Sequence, residues 1–275
     1  MTEASIPTTA RLDRLQVSEY AIFYEFVDGS LLRRMQPIEL SYFESGTGDT
    51  TLICLHSLSV ASRTFAGLAD ALDGELELVA LDLRGFGDSH RPTQDYSVDL
   101  WVEDVLKLVA ALGAASPPVV YGHGLGACIA LALAARLSLG GLAVSGVALS
   151  PGEPAALDEL IRRGDRGDPV AGMLEALTGA PAAAGDLTPQ IVARAARAWQ
   201  SLDGRPLASP PGTPLLVLAA EDDALAPPGA DGGAAELAGT NGVPLVSLPG
   251  GHELPATQPG ALAEALLDWV NDRKR

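Results

Sequence analysis

The 275 residues, 47% of them hydrophobic, suffice for one sizeable domain with a large core. Acidic residues outnumber basic ones 35 to 18, and the resulting formal net charge of −17 excludes nucleic acid and anionic membranes as favoured partners. Two cysteines, Cys54 and Cys128, are too few for a disulfide framework and read as small buried residues.

The chain opens Met-Thr-Glu-Ala-Ser-Ile-Pro, with neither a basic start nor an apolar stretch. No secretory signal is therefore expected, and the expected location is cytoplasmic. Residues 1–37 form an N-terminal extension in which Leu12, Leu15, Tyr20, Phe23 and Phe26 predict packing on the rest of the chain; covering a site mouth or joining a dimer contact are the other options. Thr51–His56 is an apolar strand ending in His56-Ser57-Leu58. A second strand, Leu76–Leu81, delivers Asp82-Leu83-Arg84-Gly85-Phe86-Gly87-Asp88-Ser89, where the glycines permit a tight turn and Arg84 anchors loops. Leu100, Val102, Val105, Leu106, Leu108, Val109 and Leu112 lie near helical spacing and predict a covering helix over Asp99–Leu112.

Residues 119–126, Val-Val-Tyr-Gly-His-Gly-Leu-Gly, take an apolar strand into Gly122-His123-Gly124-Leu125-Gly126 and then into an Ala/Leu-rich helix. That stretch, Ala127–Leu137, is too short to span a membrane and fits a core helix. Residues 152–212 are rich in Ala, Gly, Pro and Asp, with helix-like pieces at Ala155–Arg162, Val170–Thr178 and Pro189–Trp199. Pro214–Ala219 is another buried-type strand, followed by Glu221-Asp222-Asp223. A strand around Val243–Leu248 leads to Pro249-Gly250-Gly251-His252, and Ala261–Val270 is an amphipathic helix. Continuous apolar runs separated by helical patterns indicate parallel strands covered on both faces.

Taken in this order, the pieces resemble the α/β-hydrolase family over Ile38 to Trp269. The Asp-x-Arg-Gly-x-Gly-x-Ser stretch is quite specific to that family, and the glycine turn resembles its G-x-S-x-G nucleophile elbow with Gly124 where the serine belongs. The resemblance implies an α/β fold, the α/β-hydrolase fold, with a mostly parallel sheet, helices on both faces and a small helical lid. The core would be 38–151 and 213–275, and the lid 152–212. By position it implies a degenerate nucleophile site at Gly124, Asp223 as the acid and His252 as the base, in the family's chain order. The backbone N–H groups of Leu58 and Leu125 would form the oxyanion hole. Two departures stand out: the nucleophile is missing, and the usual His-Gly after the first strand is His56-Ser57.

A histidine oriented by a carboxylate remains a general base without any serine. Asp222 competes with Asp223 for the carboxylate role, the spacing from Ala220 favouring Asp223, and Glu153 is an outside candidate. The pair could also do no more than tie two loops together. Ser57, His56, His123, Trp199 and Met173 are pocket candidates. His56 would shape the oxyanion loop, and Ser57 would offer a hydroxyl to substrate or, as the less favoured alternative, act as a displaced nucleophile; nothing in the sequence places Ser57 on a strained turn beside His252. No cluster of His, Cys and carboxylates shows ligand spacing, and neither a phosphate loop nor a dinucleotide fingerprint is present, so no metal and no cofactor are implied. The expectation is a cofactor-independent enzyme lacking the serine nucleophile, with a His-Asp dyad as general base on a carbonyl-containing small molecule. Elimination, cyclisation and non-covalent hydrolysis all suit it, and the Ala/Gly/Arg/Asp-rich composition suggests bacterial specialised metabolism. The alternatives are a non-catalytic binding protein and a serine hydrolase carrying a Ser-to-Gly substitution.

Overall fold

A computed structural model describes residues 6–7, 9–27, 30–148, 154–180, 182, 188–202, 209–229 and 233–273, with side chains described outside 18–36 and 154–156. Glu153 and the side chains of Tyr20, Phe23 and Phe26 lie outside this set. In chain order the elements are strands β1 (Arg11–Val27), β2 (Ser30–Ser45) and β3 (Thr51–Leu55), helix α1 (Ala66–Ala71), β4 (Glu77–Leu81), α2 (Val98–Leu112), β5 (Val119–His123), α3 (Leu125–Ala134) and β6 (Gly141–Ser145). Helices α4 (Pro154–Arg166), α5 (Ala171–Thr178) and α6 (Pro189–Gln200) follow, then β7 (Leu215–Ala220), α7 (Ala234–Asn241), β8 (Leu245–Leu248), α8 (Leu254–Thr257) and α9 (Pro259–Asp272).

The eight strands form one sheet in the order β1-β2-β4-β3-β5-β6-β7-β8. From β4 to β8 every pairing is parallel, while β1 and β2 add an antiparallel edge. Successive side chains of a strand point to opposite faces, so a sheet covered on both sides needs unbroken apolar strands. Strand β3 shows the consequence. Ile53 and Leu55 join a core with α2, α3 and the residues of α4 and α6, whereas Leu52 and Cys54 join a second core with α1 and α9. Cys54 and Cys128 are free, buried and on opposite faces, consistent with simple packing roles.

Helix α2 starts where the Ser97 side chain accepts from the Leu100 N–H at 3.1 Å, and it stops at Gly113 in the left-handed region, φ 59°. Its buried face is Val98, Trp101, Val102, Val105 and Leu108 plus Asp104. Leu100, Leu106, Val109 and Leu112, also expected in that face, pack against it only partly buried. Asp104 is there for Arg84: the guanidinium Nε donates to Asp104 Oδ2 at 2.9 Å with both groups buried, and Trp101 Nε1 donates to the Arg84 carbonyl at 3.0 Å.

Among the described residues before Ile38, β1 and the first half of β2 pair as long antiparallel strands. Strand β1 pairs with β2 from Arg11↔Glu44 to Val27↔Ser30, with a register shift between Val17 and Tyr20, and β2 then pairs with β4 from Tyr42 to Ser45. Strand β2 runs through residue 37 without a break and carries Ile38, Leu40 and Tyr42 into the α2–α3 core. Helices α4, α5 and α6 fill the chain between β6 and β7.

Candidate active site

The constellation sits where open α/β sheets bind ligands, outside the carboxyl ends of the parallel strands. Strand β5 ends at His123, and Gly124 turns the chain into α3 with φ 57° and ψ −119°, a conformation that residues with a Cβ rarely adopt. The flanking glycines are needed for close approach: a Cβ on Gly126 would stand 2.1 Å from the Leu55 carbonyl oxygen, and one on Gly122 2.3 Å from that of Gly126. Local sequence thus builds the elbow, and the His56 carbonyl, accepting from the Gly126 N–H at 3.1 Å, locks it to the loop after β3.

His252 follows β8 and is buried. Its Nδ1–H donates to both carboxylate oxygens of Asp223, at 3.0 and 2.9 Å. Asp223 Oδ1 also accepts the N–H groups of Leu225 and Ala226, at 3.0 and 2.7 Å, which fixes the carboxylate independently of the histidine. The neighbouring Asp222 is exposed. Burial pushes the His252 imidazole down, but the hydrogen bond and charge of Asp223 prevail and leave it above the ordinary value of 6.5. Burial likewise pushes Asp223 up, and His252, the Ala226 N–H and His123 together more than offset this, so that Asp223 stays below the ordinary carboxylate value.

His252 Nε2 has no hydrogen-bond partner among the described residues, and the same is true of the buried Ser57 Oγ. Both face one point. A Cβ built on Gly124 would lie 3.4 Å from His252 Nε2, 2.2 Å from Ser57 Oγ and 2.8 Å from Ser57 Cβ. The hydroxyl of Ser57 therefore stands where a side chain at position 124 would begin.

His56 holds that loop. The Leu83 N–H donates to His56 Nε2 at 3.0 Å, which puts the proton on Nδ1, and Nδ1–H donates to the Ser57 carbonyl at 2.8 Å. Burial lowers the His56 imidazole below its ordinary value and keeps it neutral. Leu58, on the loop after β3, and Leu125, the first residue of α3, are buried, and neither N–H donates to a backbone carbonyl among the described residues.

A second buried network lies against the dyad. The rings of His123 and His252 are 4.8 Å apart. His123 Nδ1 is hydrogen-bonded to Ser145 Oγ at 2.9 Å, and Ser145 Oγ to the Tyr121 hydroxyl at 2.6 Å. His123 Nε2 is 3.3 Å from Glu253 Oε2, an ion-pair distance but misaligned for a hydrogen bond, and the Ser59 hydroxyl donates to the other Glu253 oxygen. Burial pushes the Glu253 carboxyl up, yet His123, His252 and Ser59 together bring it down to about 2. Gly146, φ 59°, makes room: a Cβ there would stand 2.9 Å from Cε1 of both histidines. Glu253, Ser59, Ser145, Tyr121 and Gly146 carried no functional signal in the sequence; the one hint was the adjacency of His252 and Glu253.

The sequence spacing shows no ligand cluster, but the fold makes one, since His123, His252 and Glu253 offer ligand atoms within 4.8 Å of one another. A tetrahedral zinc about 2.1 Å from each ligand needs separations of roughly 3.4 Å, so this group would have to contract to hold one. Of the pocket candidates, Trp199 on α6 is buried in the core, its Nε1 donating to the Ala148 carbonyl at 2.6 Å, and Met173 on α5 packs half-buried on the same core. At the far end of the strands, a surface groove of about 430 Å³ is lined by Arg11, Glu44, Asp70, Asp73 and Glu77 among others, and shares no residue with the dyad.

Comparison with known proteins bears on the family and the fold. A protein from Mesorhizobium japonicum, 2-(acetamidomethylene)succinate hydrolase, is 30% identical over 180 residues, 62% of this chain and 63% of its own length. Lipase 3 of Moraxella sp. is 36% identical over 91 residues, 33% of this chain and 28% of its own. The chain thus spans less than two thirds of either relative. Among solved structures, the Thermogutta terrifontis esterase superposes with TM-score 0.73 at 23% identity, covering 93% of this chain and 99% of that one. The enol-lactonase from Burkholderia xenovorans gives 0.74 at 22% identity, covering 90% and 99%. The model of the alpha/beta hydrolase family matches residues 52–265, and with that much of its length accounted for the chain belongs to the alpha/beta hydrolase family.

Proposed function

We propose that the chain is an enzyme in which His252, oriented by Asp223, acts as a general base toward a carbonyl-containing small molecule, with no ester formed at Gly124. The observation that carries this is His252 Nε2, buried and without a partner, aimed at the point above Gly124 while Asp223 holds Nδ1. A carboxylate on Nδ1 sets the tautomer that leaves Nε2 able to accept a proton, and it stabilises the imidazolium that results. The N–H groups of Leu58 and Leu125 are the donors for the developing oxyanion. This apparatus serves hydrolysis, elimination or cyclisation. The names of the similar proteins, a hydrolase of an acylated enamine and an enol-lactonase, favour hydrolysis of an activated ester, lactone or enamide.

The test is kcat/KM of wild type, His252→Ala and Asp223→Asn across a panel of small esters, enol-lactones and acylated enamines. Loss of about 10³-fold or more is expected for His252→Ala, and a fall of similar order for Asp223→Asn. Undiminished turnover in His252→Ala removes the dyad from the chemistry. Absence of any turnover, with small carbonyl compounds still binding, identifies a binding protein instead.

A further inference from the structure

The resemblance contained two departures that the sequence presents as unrelated: glycine where the family has serine, and serine where it has glycine. In the structure they are one feature. Position 124 and position 57 face each other across the elbow, and Ser57 Oγ lies 2.2 Å from where a Cβ on residue 124 would be. The hydroxyl has changed loops while staying in place. We propose that Ser57 is the catalytic nucleophile of this site, supplied from the loop after β3 instead of from the elbow.

The surroundings suit that role. Ser57 Oγ is a buried hydroxyl with no hydrogen-bond partner among the described residues, an arrangement that costs stability and that a catalytic role explains. Its natural acceptor, His252 Nε2, is equally buried and unpartnered and faces the same point. His56 holds the Ser57 carbonyl, so the loop that presents the hydroxyl is anchored on both sides of the bond. The oxyanion donors keep their logic as well. In an ordinary elbow the residue after the nucleophile supplies one N–H and the opposite loop the other; with Ser57 attacking, Leu58 is the residue after it and Leu125 the opposite donor.

The reaction balances without a co-reactant beyond water. Ser57 Oγ bonds to the carbonyl carbon as its proton passes to His252 Nε2, and the oxyanion rests on the Leu58 and Leu125 N–H groups. Collapse breaks the bond to the leaving group, which takes the proton from His252. Water then gives a proton to His252, its oxygen attacks the acyl-Ser57 ester, and the acid leaves as Ser57 recovers its proton.

The inference rests on the reading of His252 as base. Its test is labelling with a fluorophosphonate, read by peptide mass spectrometry, on wild type, Ser57→Ala, His252→Ala and the exchange variant Ser57→Gly/Gly124→Ser. The expected result is a phosphonyl adduct on Ser57 in wild type, absent from Ser57→Ala and reduced at least 100-fold in rate in His252→Ala. The exchange variant should carry its adduct at position 124. A silent wild type, or an adduct elsewhere, overturns the assignment, and so does Ser57→Ala that keeps half or more of the wild-type ester turnover. If the wild type is silent while the exchange variant labels, the site is accessible and His252 remains a working base, so only the role of Ser57 falls. Silence in both, with His252→Ala fully active on esters, removes both readings.

Discussion

His252 is pulled two ways, by burial that disfavours its charged form and by Asp223 that favours it, and Asp223 wins. A general base must be neutral, so kcat/KM should rise with pH through an inflection above 6.5. Asp223→Asn, by removing the group that raises the imidazole, should move the remaining activity's inflection downward; an unmoved inflection would mean that another group titrates. Gly124 yields a second expectation. A serine placed there alone would put its Cβ 2.2 Å from Ser57 Oγ at φ 57°, so Gly124→Ser should lose about 1–3 kcal/mol in urea unfolding and recover much of it when Ser57→Gly is added. Motif order was enough to single out Gly124, Asp223 and His252, because those spacings are local or tied to strand ends. Nothing local told Asp223 from Asp222 beyond counting, whereas in the structure one is buried on His252 and the other exposed.

Among the elements, the strands buried on both faces other than β6 were legible to within a residue or two, since two-sided burial demands an unbroken apolar run such as Leu215–Ala220. The β1–β2 pair was not. An antiparallel edge exposes part of its surface, as Leu12 at 64% exposure does, and over Leu12–Val17 the apolar residues are interleaved with polar ones and leave no continuous run. Helix α2 was legible as a helix, but its polar contact was not: Asp104 sits among apolar residues because Arg84, twenty residues earlier, requires it. Removing one partner of such a buried pair strands the other, and Asp104→Ala should cost about 3–5 kcal/mol of unfolding free energy, measured by urea denaturation. Replacement of Ser97, the exposed cap of the same helix, by Ala should cost only about 1 kcal/mol.

Over the whole molecule, the buried carboxylates make stability depend on acid. Glu253 falls from an ordinary 4.5 to about 2 in the folded chain, so its contribution is complete above pH 4.5 and is lost as pH falls through about 2; Asp223 acts in the same sense. His252 acts oppositely, contributing below 6.5 and losing that contribution as pH rises through its raised value. The urea midpoint of wild type should therefore drop between pH 4.5 and 2.5, and Glu253→Gln, less stable at pH 7, should show a smaller drop over the same interval. An equal drop in both would mean that Glu253 does not carry the acid response. Among the described residues no helix is long and apolar enough to cross a membrane. The alternation of strands and helices, their order and the strand-to-helix turn at Gly124 all follow from patterns a few residues long, because backbone geometry and two-sided burial act locally. The meeting of Ser59 with Glu253, 194 residues apart, and of Ser57 with Gly124 and His252, required the strand ends to be set side by side. No local pattern encodes a distance between loops, so the place of the Ser57 hydroxyl belongs to the tertiary structure alone.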